Sequence, residues 1–176
     1  FSIGAGEITQ FAQPGANAAT LNRVVGGIPS SIHGTLQANG HVFLINPNGI
    51  LAGPTGVINT AGFIASTLDV PDAEVLAGGD MNFSGSSGAA RHRVVEDVGD
   101  VALLGNNVMN AGNISAPNGV AVLAAGNDIL YSPLGDEKVL VRSSLGGAKG
   151  AENSGTITAA QAELKAAGGN VYGLAV

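Results

Sequence analysis

One eight-residue unit recurs in this chain at a fixed displacement, and that recurrence limits what the chain can fold into. Val108-Met109-Asn110-Ala111-Gly112-Asn113-Ile114-Ser115 and Ala151-Glu152-Asn153-Ser154-Gly155-Thr156-Ile157-Thr158 share an Asn-x-Gly-x-Ile pattern displaced by 43 residues. The likeness continues downstream, where Val120 to Asn127 matches Ala162 to Gly169 at a displacement of 42. A looser copy occupies Val57 to Ile64. Self-similarity at a fixed period marks architectures in which each repeat buries its apolar face only against its neighbours.

The repeat is built for strands and corners. Glycine supplies 28 of 176 residues, against a usual share of about 7%, and each glycine costs about 1 kcal/mol inside a helix. The apolar runs Val42 to Ile45, Val101 to Leu104, Ile129 to Tyr131 and Val139 to Val141 are short and bounded by Gly, Asn, Asp, Pro or Ser. They read as strands between tight turns. Strands this short gain little as free hairpins but fit a coil in which each pairs with its equivalents in the turns before and after. A displacement near 42 then reads as two turns of roughly 21 residues, so the chain would make about eight turns in a rod about 40 Å long. At each corner Asn and Gly tolerate the positive φ that a sharp turn needs, and stacked Asn side chains can bond one another and the corner backbone. The alternative, a β-sandwich with scattered surface turns, does not account for the register that the two best copies keep through both segments.

Charge and composition exclude several classes. Thirteen acids against seven bases leave a net charge of −6, which offers no basic surface to nucleic acid. With 45% hydrophobic residues the chain can order itself. Cysteine is absent, which removes disulfides, Cys-zinc sites and thiol catalysis. No apolar run is long enough for a membrane-spanning helix, and no basic stretch with an apolar h-region opens the chain at Phe1, as an exported protein that has already lost its signal would show. The chain starts at Phe1 in a strand-like segment without an initiator Met, and reads as one domain, residues 1–176, cut from something longer.

The sharpest local feature is Asn46-Pro47-Asn48-Gly49, whose residue order suits a type I turn between two apolar strands. With Leu21-Asn22-Arg23-Val24-Val25-Gly26-Gly27, Ser31-Ile32-His33-Gly34-Thr35-Leu36 and Asn39-Gly40-His41-Val42-Phe43-Leu44-Ile45 around it, the chain resembles the two-partner secretion domain of filamentous-haemagglutinin-like exoproteins. Phe1 to Glu7, Ala65 to Asp69, Phe83-Ser84-Gly85 and the Asn-x-Gly-x-Ile copies extend that resemblance over nearly the whole chain. The resemblance implies an all-β, right-handed parallel β-helix with an N-terminal cap, which targets a large secreted adhesin for export and nucleates its β-helix. It implies passage through the periplasm to the outer cell surface or extracellular space, on recognition by an outer-membrane transporter with periplasmic POTRA-type domains. Host or neighbouring-cell glycans or receptors would be met through regions outside this chain. Carried over residue by residue, the secretion motif falls on Asn46, Pro47, Asn48 and Gly49, with Asn22 and Arg23 in the second recurrent segment.

Two departures from the family pattern generate expectations. The cap strands that usually precede Phe1 are missing, so the amino end should be incomplete. From Arg91 to Asp100 the Asn-x-Gly-x-Ile unit is missing, so that turn should be irregular or looped out.

The rival reading is a polysaccharide-active β-helix of the pectate-lyase or polygalacturonase kind, which needs convergent carboxylates. Its candidates are Asp69 with Asp72, and Glu96, Asp97 and Asp100 beside Arg91 and Arg93, but neither group has the Asp-x-Asp spacing that puts two acids on one strand face. His33, His41 and His92 show no metal-ligand spacing. The sequence therefore leads to no catalytic residue, metal or cofactor.

Overall fold

The computed structural model describes residues 1–85, 90–95, 99–142, 150–166 and 169–174, with 90–95 and 169–174 described by backbone alone. Strands stack as a parallel coil. The first layer comprises a bridge from Ile3 to Ile32, β1 (Ile8–Phe11) and β2 (Ala19–Arg23). Above it lie β3 (Ser30–Ile32), β4 (Thr35–Ala38) and β5 (His41–Ile45), then β6 (Ile50–Ala52), β7 (Val57–Asn59) and β8 (Gly62–Ser66). An excursion through helix α1 (Asp72–Ala77) and β9 (Met81–Ser84) precedes β10 (Ala90–Val95) and β11 (Asp100–Gly105). The next layer is the long bent β12 (Asn107–Ala125), followed by a second excursion through β13 (Asp128–Tyr131) and β14 (Val139–Val141). β15 (Gly150–Asn153) and β16 (Thr156–Ala166) form the last parallel layer, and β17 (Gly169–Leu174) pairs antiparallel with β16.

Alternate side chains along the strands divide two cores. Val42, Leu44, Phe63, Ala65, Val101, Leu103, Ala121 and Leu123 point into the coil with Ile32, Leu36, Ile50 and Ile58. Phe43, Ile45, Ile64, Ala102, Leu104, Val122 and Ala124 point outward, yet they too are buried. Their cover is the lateral sheet β14-β13-β9, formed where the two excursions meet, which contributes Met81, Phe83, Ile129, Tyr131 and Val139. Both faces of these strands are therefore dry, which is why they read as unbroken apolar runs rather than alternating ones.

The pairing corrects several sequence expectations. The displacement near 42 spans one turn, since Ile114 pairs directly with Ile157 and Leu123 with Leu164. Ile129 to Tyr131 and Val139 to Val141 form strands, but they belong to the antiparallel lateral sheet and not to the coil. The excursion between β12 and β15 lengthens that step, and the one between β8 and β10 lengthens another, so the described coil has fewer turns than the eight expected. Ala90–Val95 is not looped out. Its backbone pairs with β6 and β12, and a register shift between His92 and Val94 marks the expected irregularity.

The asparagine corner works as its chemistry suggests. Asn110 is fully buried; its Nδ2 donates to Asn153 Oδ1 one turn on at 2.7 Å, and its Oδ1 accepts the Gly112 N–H at 3.2 Å. Gly155 stacks so closely on this corner that a Cβ there would lie 2.0 Å from the Gly112 carbonyl oxygen. Asn59 does not belong to this column. Ile50 pairs Ala90 and Ala90 pairs Val108, so the same register puts the position equivalent to Asn110 at Ala52, where β6 ends.

The outward apolar column Phe43, Ile64, Ala102, Val122 ends at Glu163, and the next column ends at Lys165. Both are buried, and both hold β14. Glu163 accepts the N–H groups of Lys138 at 2.7 Å and Val139 at 3.2 Å, while Lys165 Nζ lies 2.9 Å from Glu137 and 3.2 Å from Glu163. Burial pushes the Lys165 pKa down, but hydrogen bonds and charge from Glu137 and Glu163 outweigh it and leave it raised. Burial also raises the Tyr131 hydroxyl, with Asp100 and Glu163 adding to the effect.

Asn110→Ala removes a buried donor and acceptor at once and should cost about 1–3 kcal/mol in urea unfolding. Asn153→Ala, exposed at the next turn, should cost less; equal losses would contradict the corner assignment. A raised folded-state pKa at Lys165 and Tyr131 supplies stability below their unfolded values of about 10, and that stability is lost as pH rises through the folded values. The unfolding free energy should accordingly hold steady from about pH 7 to 9 and fall above about pH 10; a flat alkaline profile would count against the buried cluster.

Candidate functional site

The recurrent segments of the sequence meet at one corner of the coil. Strand β2 delivers Asn22 and Arg23 opposite Leu44 and Ile45 of β5. Past that pairing, the Val24 N–H bonds the Ile45 carbonyl at 2.8 Å, and the chain loops outward to re-enter at Ser30. The turn after β5 sits beside this loop. The Gly49 N–H closes on the Asn46 carbonyl at 3.0 Å, giving the four-residue turn that the residue order predicts. Gly49 has φ 123, a conformation that disfavours any residue with a Cβ.

Asn46 organises the corner from inside. It is fully buried, and its Nδ2 donates to the Ile28 carbonyl at 3.0 Å and to Ser30 Oγ at 2.9 Å. Its Oδ1 accepts the Asn48 N–H at 3.0 Å and Asn48 Nδ2 at 3.1 Å. Asn48 is exposed and also donates to the Gly26 carbonyl at 2.6 Å. The turn and the 24–29 loop are thereby one unit, and together they push Val25 and Ile28 into solvent at 94% and 77% exposure. Beside them lies a hollow of about 460 Å³, lined by Arg23, Gly26, Pro47, Asn48 and Asp69 among others.

Of the residues that the sequence nominates, Asn46, Pro47, Asn48, Gly49 and Arg23 converge here. Asn22 is half-buried and donates to the Phe43 carbonyl at 3.4 Å. Sequence reasoning did not single out Val25 and Ile28 as site residues. The available signal was two β-branched residues flanking Gly26 and Gly27, where no strand could bury them.

Arg23 carries a different surprise. Its Nε bonds Asp69 at 2.9 Å, its Nη1 bonds Asp72, and its Nη2 bonds the Val70 carbonyl at 2.6 Å. The hydrogen bond to Asp72 does most to raise its pKa, against a smaller lowering by burial. The Asp69 and Asp72 pair considered for polysaccharide chemistry is thus the counter-ion of Arg23. Asp100 accepts the Val120 N–H at 2.9 Å. Glu96 and Asp97, and the side chains of Arg91, His92 and Arg93, lie outside the described residues. His33 and His41 pack over Gly53 and Gly62, where an added Cβ would meet each ring at 2.3 Å. Among the described residues no cluster of three metal-ligating side chains occurs.

A parallel coil with a lateral sheet and asparagine-held corners defines a parallel β-helix domain. The model of the TPS secretion domain family matches residues 1–174, and the chain belongs to that family. It is similar to the secretion domain of HMW1 from Haemophilus influenzae, with a TM-score of 0.78 and 35% identity over 89% of this chain and 44% of that one. It is also similar to a heme/hemopexin-binding protein of H. influenzae strain Rd, 33% identical over 184 residues that cover 97% of this chain and 20% of that protein. A second H. influenzae heme/hemopexin-binding protein is 46% identical over 70 residues, 40% of this chain and 8% of that protein. The chain thus spans about a fifth of the first relative's length. Its role is secretion targeting: a cognate outer-membrane transporter passes exoproteins of this family to the cell surface or extracellular space.

Gly49→Val forces a branched side chain into positive φ and should cost about 1–3 kcal/mol, read as a lowered urea midpoint. Asn48→Ala, which leaves the buried Asn46 bonds to Ile28 and Ser30 in place, should cost less than about 1 kcal/mol.

Proposed function

We propose that the transporter reads this domain at the unit formed by Asn46-Pro47-Asn48-Gly49 and the Asn22 to Ile28 segment, through its periplasmic POTRA-type domains. The observation that carries this reading is the exposure of Val25 and Ile28 on a loop that the buried Asn46 holds rigidly. Two solvent-exposed aliphatic side chains on one loop beside a hollow suit a partner that covers them. The motif divides its work: Asn46 and Gly49 shape the corner, while Pro47, Asn48, Val25 and Ile28 form its outer face. No catalytic step is involved, and the domain nucleates the β-helix of a longer adhesin-type exoprotein, whose receptors are met by other regions of that protein.

The test separates stability from recognition in the exported exoprotein. Val25→Asp and Ile28→Asp alter exposed positions and should leave the melting temperature unchanged, yet the protein should accumulate in the periplasm. If both variants, together with Asn48→Ala, are exported at the parent rate, the corner is structural alone.

A further inference from the structure

Arg23 belongs to the motif segment, but its guanidinium is already committed. All three of its nitrogens bond one short stretch, Asp69 to Asp72, which opens the first excursion. That stretch follows β8, and β5 lies between β8 and β2 in the sheet, so the side chain reaches across an intervening strand to hold it. The loop has a second fastening on its far side, where Asp69 and Ser84 exchange backbone hydrogen bonds at 2.9 Å each. Arg23 draws the near side towards the corner. Asp69 consequently lines the same hollow as Gly26, Pro47 and Asn48, with its side chain 60% exposed.

The charge of the cluster points the same way. One guanidinium faces two carboxylates, so the clasp keeps a net negative charge, and only one oxygen of each carboxylate is used by Arg23. The other residues lining the hollow are apolar, glycine, proline or amide.

We infer that Arg23 is a positioning residue for transporter recognition, which docks the 69–72 loop against the Asn46–Gly49 corner so that the charged group offered to the partner is the Asp69 carboxylate. The partner segment seated in the hollow then supplies a Lys or Arg side chain or N–H donors, and makes no ion pair with Arg23. This inference rests on the corner being the recognised surface, and it adds the sign of the charge on that surface.

The test uses the full exoprotein with its transporter, with secreted and periplasmic fractions measured alongside melting temperature. Arg23→Gln should lower secretion at least about tenfold, whereas the reversed clasp, Arg23→Asp with Asp72→Arg, keeps one base and two acids at the same place and should recover most of it. Failure of a folded reversed clasp to recover secretion would mean that Arg23 itself meets the transporter, and would overturn the proposal. Asp69→Asn keeps the Arg23 bonds to Asp72 and Val70. It should weaken binding to the transporter's periplasmic domains about tenfold and make that binding less sensitive to salt. Unchanged or tighter binding by Asp69→Asn overturns the acidic face, and decides the matter if the reversed clasp does not fold. If Val25→Asp and Ile28→Asp block export while these charge variants behave like the parent, this inference alone falls; if none has an effect, the corner reading falls with it.

Discussion

Everything in this molecule depends on parallel pairing between successive turns of one chain. A short strand leaves its N–H and C=O groups unsatisfied unless a neighbour lies about 4.8 Å away in matching register, and here that neighbour is the next turn. Register can be kept only if each corner takes up the same space in every layer. Asn110 and Asn153 do this by bonding one another and the glycines that follow them. Glycine is required where corners stack most closely, as at Gly155 on Gly112. The corners are thus as much a part of the pairing as the strands.

The coil alone would leave Phe43, Ile64 and Leu104 facing water. Two excursions, one after β8 and one after β12, meet over that face as β9, β13 and β14 and convert it into a second core. At about 1.5–3 kcal/mol per fully buried large apolar side chain, this lateral cover is a major source of stability. Its outer strand is held by different means. Where the outward columns reach the last layer, Glu163 and Lys165 take the place of apolar residues and bond the β14 backbone directly. A buried carboxylate accepting two backbone N–H groups satisfies a strand edge that no further strand pairs with among the described residues.

The Asn46–Gly49 corner uses the same economy of buried polar groups. Asn46 spends its whole side chain on Ile28, Ser30 and Asn48, and so converts a tight turn and a neighbouring loop into one rigid surface. Rigid presentation lowers the ordering cost of association, which suits a surface carrying exposed Val25 and Ile28. Arg23 extends the logic by fastening the start of the lateral sheet to that corner, so the two structural additions to the coil are mechanically joined.

Much of this was legible in the sequence because it is local. Positive φ calls for Gly, a corner calls for Asn, and a strand buried on both faces calls for an unbroken apolar run such as Val42 to Ile45; each of these is written within a few residues. The family motif, the strand segments and the Asn-x-Gly corners could be read directly for that reason. What the tertiary structure alone decided is which distant segments meet. A displacement of 43 is the same number whether it spans two turns or one turn with an excursion, and only the direct pairing of the layers, Asn110 with Asn153 and Ile114 with Ile157, separates the cases. Likewise nothing near Arg23 identifies Asp69 and Asp72, 46 and 49 residues away, as its partners. Long-range closure follows from how whole layers pack, and the burial of Asn46 and the exposure of Val25 follow from that closure.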